Sequence, residues 1–105
     1  AYNDPALAKR VTDTMADWLG RGTLIKRQPT MGGEDFGMYG RTGHKVPIFM
    51  FALGTVSTDL IKRFRAAGKP LPMVHSSTYA PDIEPSLRTG VTATTAAALD
   101  LLGKQ

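Results

Sequence analysis

A chain of 105 residues fits one small domain, and a composition 42% hydrophobic and 21% charged argues against disorder. The net charge of +4 is scattered, with no basic run interleaved with exposed aromatics, which speaks against a nucleic-acid groove. The absence of cysteine excludes disulfides and thiolate metal sites, and no apolar run is long enough to span a membrane, Ile48 to Leu53 being strand-sized.

Asn3-Asp4-Pro5 predicts a helix opening, with Asp4 as N-cap and Pro5 where its missing N–H costs nothing. Leu7, Val11, Met15 and Trp18 recur at helical spacing as a core stripe, and Gly20 and Gly22 supply the stop. Thr23 to Arg27 is a short strand candidate ending before Pro29. Gly32 and Gly33 allow a tight turn, and Glu34 to Tyr39 reads as one or two helical turns that Asp35 can cap and Gly40 can end.

Val46 to Gly54 is the clearest strand candidate, because Ile48 to Leu53 is apolar on both faces, as in a buried central strand. Ser57-Thr58-Asp59 then opens a helix with Leu60, Ile61, Phe64 and Ala67 inward, closed by Gly68 and Pro70. On that helix Lys62-Arg63-Phe64-Arg65 reads as a solvated basic face, with Phe64 turned inward. Lys69 to Asp82 is an irregular loop bearing His75. Glu84-Pro85 starts a last helix with Leu87, Val91, Thr94, Ala98 and Leu101 on one face. Its Ala- and Thr-rich middle suggests close packing against a sheet.

These elements give an expected fold class of α/β, with about two core strands and three main helices. A strand buried on both faces needs neighbours on both sides, so the pattern points to a piece of a larger layered domain.

Taken on its own, His75 in a polar loop is a surface or hydrogen-bonded histidine, since a metal site needs several convergent ligands. Glu34 and Asp35 are adjacent at a helix start and point in different directions, so capping and helix-dipole complementarity explain them better than an acid/base pair. Ser76 and Ser77 lack a Gly-x-Ser-x-Gly setting, which leaves serine-hydrolase chemistry unsupported.

Two segments change the weighting: Met31-Gly32-Gly33-Glu34-Asp35-Phe36, and the stretch Met73 to Pro85 containing His75-Ser76-Ser77. In this order, with an apolar strand candidate between them, they resemble the C-terminal part of the dinuclear-metal amidohydrolases and carboxypeptidases. That family includes hippurate hydrolase, aminoacylase and glutamate carboxypeptidase. There a Gly-Ser/Gly-Glu-Asp-Phe segment precedes a His-Ser-Pro-like one; here Ser77 stands where proline is usual.

The resemblance covers nearly the whole chain. It implies that residues 1–105 are the C-terminal segment of a three-layer catalytic domain, with the lid and dimerisation domain and the N-terminal half absent. The implied reaction is hydrolysis of the amide bond of an N-acyl amino acid or small peptide. It would use two divalent metal ions, zinc in the first instance, with manganese or nickel as alternatives.

The implied roles are His75 as one metal ligand, Gly32 and Gly33 as substrate-lining backbone, and Glu34, Asp35 and Asp82 as residues shaping the site. By position Asp82 and Glu84 read as loop and N-cap residues, with orientation of His75 as a further role open to Asp82. The general-base glutamate and the other ligands would lie in the N-terminal half, so no catalytic residue is expected here. The expected partners are the remainder of the polypeptide, the substrate and, for the full enzyme, a second copy; neither nucleic acid nor membrane is expected. The compartment stays open, with the cytoplasm as default. The competing expectation is a self-contained, non-catalytic α/β interaction module.

Overall fold

Asp4 sets the first helix. Its carboxylate accepts the Leu7 N–H at 2.8 Å, Pro5 occupies the first turn, and α1 runs Pro5–Leu19 until Gly20 (φ 90°) ends it. Ser57 caps α2 (Thr58–Ala66) in the same way, its hydroxyl accepting the Leu60 N–H at 3.2 Å. A longer helix, α3 (Ile83–Leu102), and 3₁₀ turns at Arg21–Thr23 and Asp35–Arg41 complete the secondary structure. These features come from a computed structural model that describes residues 1–103.

The backbone divides into two units, Ala1–Ala52 with the end of α3 from Thr92 onward, and Leu53–Val91. In the first unit the core is small: Val11 and Met15 of α1 meet Ala93 of α3, with Leu7, Leu19, Phe49 and Ala97 packed around them. Arg10 clamps the same two helices from outside, its Nε 2.7 Å from Asp100 Oδ2 and one terminal nitrogen 2.8 Å from the Asp100 carbonyl. Exposed pairs of this kind contribute little, about 0–1 kcal/mol. The apolar cluster carries this unit.

The expected α/β class is not what forms: among the described residues there is no strand and no sheet, only helices and turns. The physical reason lies with the two strand candidates. Thr23 is drawn into a 3₁₀ turn that its hydroxyl closes on the Gly20 carbonyl at 2.6 Å, and Ile25 beyond it is largely exposed. Val46 to Gly54 therefore finds no strand beside it. Asn3 and Asp4 act as its neighbour instead. The Asp4 N–H donates to the Ile48 carbonyl (2.9 Å), while the Asn3 side chain accepts from the Met50 N–H and donates to the Met50 carbonyl, both at 2.8 Å.

Two helix faces also differ from expectation. Trp18 is half exposed, although Val11 and Met15 of the same stripe are 2% exposed. In α3 the buried residues are Ala93 and Ala96, whereas Leu87, Val91 and Leu101 lie open to solvent. An apolar residue on every face of α3 leaves periodicity unable to choose. Small side chains win because they let a neighbouring backbone approach closely.

The N-cap gives a first test. Asp4→Ala should lower unfolding stability by about 1 kcal/mol, since it leaves the Leu7 N–H without its side-chain acceptor. A urea melt with an unchanged midpoint would contradict that role.

Candidate functional site

In the second unit, the Ser76 N–H donates to the Met73 carbonyl at 3.1 Å, closing a β-turn with His75 at its third position. His75 has φ 72° there, the left-handed backbone that a type II turn demands and that glycine fits best. A second turn follows at once: the Tyr79 N–H donates to the Ser76 carbonyl at 3.1 Å, and the Ser76 hydroxyl accepts the Thr78 N–H at 3.2 Å. The Tyr79 hydroxyl is hydrogen-bonded to the Thr55 hydroxyl, which ties the end of this loop to the stretch before α2. The His75 imidazole is exposed and has no hydrogen-bond or ionic partner among the described residues. Both ring nitrogens are therefore open to an outside group.

Asp82 serves the backbone. Its N–H donates to the Thr55 carbonyl at 2.7 Å, and its carbonyl accepts the Ser86 N–H in the first turn of α3. Asp82 also borders a small cavity of about 260 Å³ whose lining includes Thr55, Ser57 and Ser86. No hydrogen bond joins it to His75, so the expected orienting contact is not formed.

The glycine and acidic residues lie in the first unit. Glu34, not Asp35, caps the 3₁₀ turn, its carboxylate accepting the Phe36 N–H at 3.0 Å. Both acids border a groove of about 570 Å³ whose wall also carries Arg41 and Lys45. Sequence reasoning gave Arg41 and Lys45 no role; a wall with charges of both signs emerges only when the chain after Gly40 turns back. Gly40 has a steric reason to be glycine, since a Cβ there would lie 3.2 Å from Ile48 Cδ1.

Gly32 and Gly33 have no such reason inside the chain. Neither has a positive φ, both are exposed, and a Cβ on either would meet nothing within 4 Å. Gly32→Ala and Gly33→Ala should therefore fold as well as the parent, or gain about 0.5–1 kcal/mol through a less disordered unfolded chain. A loss of stability in either variant would show a constraint that the local geometry lacks.

Among the described residues, no three His, Cys, Asp or Glu side chains come together to hold a metal ion. A single free imidazole fits the part of one ligand in a set completed elsewhere. Comparison of the chain with family models, with curated proteins and with solved structures finds no match to any of them.

Proposed function

We propose that this chain is the C-terminal portion of a metal-dependent amidohydrolase or peptidase acting on N-acyl amino acids or small peptides, and that it is inactive alone. The observation that carries this reading is His75: an exposed imidazole with no partner, held on a left-handed turn, within the segment whose residues resemble the family's metal-binding His-Ser-Pro stretch.

Divalent metal ions would supply polarisation of the scissile carbonyl and activation of water. The roles of this chain are narrower. His75 would provide one coordination bond through one ring nitrogen. The Met73–Ser76 and Ser76–Tyr79 turns, anchored by the Tyr79–Thr55 hydroxyl pair, fix where that imidazole starts from the backbone. Gly32 and Gly33, free of side chains and of neighbours, leave the backbone open to a substrate carboxylate or carbonyl. Glu34 shapes that turn through its cap on Phe36.

The purified 105-residue chain should show no amidase activity, because a catalytic ion needs about three protein ligands and this chain would bring one. Chelator-sensitive turnover of acyl-amino-acid substrates by the chain alone would overturn the proposal that it is a portion of the catalytic unit.

A further inference from the structure

Packing does not hold the loop that carries His75: from residue 73 to residue 82 every side chain is exposed except that of Tyr79. The turns closed by the Ser76 and Tyr79 N–H groups shape the loop locally, but a turn does not fix where a surface segment sits. Segments with so few buried contacts open at little cost in free energy. The loop is tied down at one residue of the same unit, Thr55. Its hydroxyl is hydrogen-bonded to the Tyr79 hydroxyl, and its carbonyl accepts the Asp82 N–H at 2.7 Å and the Ser86 hydroxyl at 3.5 Å.

These bonds divide by purpose. The Asp82 N–H and the Ser86 hydroxyl seat the first turn of α3 on the Thr55 carbonyl, and α3 needs nothing more from Thr55. The hydroxyl pair lies on the other side of Asp82, at the end of the two turns. Tyr79 donates its own N–H to the Ser76 carbonyl, and Ser76 is the residue after His75. A bond that only seated α3 would have no use for the Tyr79 hydroxyl. His75 also has φ 72°, a conformation that a side-chain-bearing residue keeps only while its surroundings impose it.

We infer that Thr55 and Tyr79 are positioning residues for metal binding by His75. Their hydroxyl pair places the His75 backbone before the ion arrives, so binding does not have to order the loop. This rests on the ligand role given to His75 above and deepens it. Ordering one residue's backbone costs about a factor of ten in an equilibrium constant, so a loop left free would bind its ion more weakly by about tenfold to a hundredfold. Neither hydroxyl touches the metal, and the ligand itself stays in place.

The test uses the complete enzyme and zinc, with affinity measured by competition against a chelator and loop opening by hydrogen exchange at the Ser76 amide. Tyr79→Phe and Thr55→Val each remove the hydroxyl pair while keeping the shape of the side chain and the Thr55 carbonyl. Each should weaken the one ion that His75→Ala also loses, by about tenfold to a hundredfold, and speed exchange at Ser76. Excess zinc should restore turnover to both variants. Thr55→Ser, which keeps a hydroxyl, should bind as the parent does. The double variant should be no weaker than either single one, because both remove the same bond. Parent-like zinc affinity in folded Tyr79→Phe and Thr55→Val, beside a His75→Ala that has lost its ion, would overturn this inference and leave the ligand role standing. Two tightly held ions in His75→Ala would overturn both.

Discussion

Met15→Ala should be the most damaging single substitution in the apolar cluster, lowering unfolding stability by about 2–5 kcal/mol. Met15 is 2% exposed and sits with Val11 and Ala93 at the centre of a core that has few other buried side chains. Truncation removes the transfer free energy of the lost atoms and leaves a cavity that rigid helices close only in part. A domain of this size has a net stability near the lower end of about 5–15 kcal/mol, so the loss would take a large share of it. Trp18→Ala is the control: the residue shares the predicted stripe but is half exposed, and should cost less despite its size. Urea unfolding followed by circular dichroism reads both. Equal midpoints for Met15→Ala and the parent would show that the cluster does not hold the unit together.

The second large effect concerns His75. In the full enzyme that the proposed function requires, His75→Ala should lower turnover by more than the roughly 10–100-fold typical of residues that only support a ligand. His75→Gly separates chemistry from folding. Glycine accepts the φ of 72° without the cost of about 1–2 kcal/mol that a side chain bears there, so this variant should be more stable while equally inactive. Asp82→Asn, which leaves the backbone bonds to Thr55 and Ser86 intact, should stay within the supporting range at most. An inactive His75→Gly that is also less stable would mean the loop is damaged rather than stripped of a ligand.

Local signals in the sequence were read well where a side chain acts on its own backbone. Asp4-Pro5 and Ser57 declared the starts of α1 and α2 because a cap needs only residues three apart. The strands were misread for the converse reason. Ile48 to Leu53 has every local property of a buried strand, but a strand exists only through a neighbour, and nothing local shows that Asn3 takes that place. Likewise Val11, Met15 and Trp18 are equivalent by spacing, and only the position of Ala93 decides that the first two are covered. At the candidate site, the presence of His75 in a loop was legible, whereas its left-handed turn and free imidazole were not, since glycine is the usual signal for such a turn. Asp82 reads from the sequence as a loop and N-cap residue, and its backbone bonds to Thr55 and Ser86 hold it at the start of α3; the further role of orienting His75 has no hydrogen bond behind it.

Metal stoichiometry of the complete enzyme tests the ligand role most directly. The parent protein and His75→Ala would be dialysed against trace zinc, and bound metal counted per chain by mass spectrometry alongside a melt that shows both to be folded. The account predicts two ions in the parent and a deficit of up to one in the variant, because one ion would lose a coordination bond. Two tightly held ions in folded His75→Ala would contradict it, and would return His75 to the status of an ordinary surface histidine.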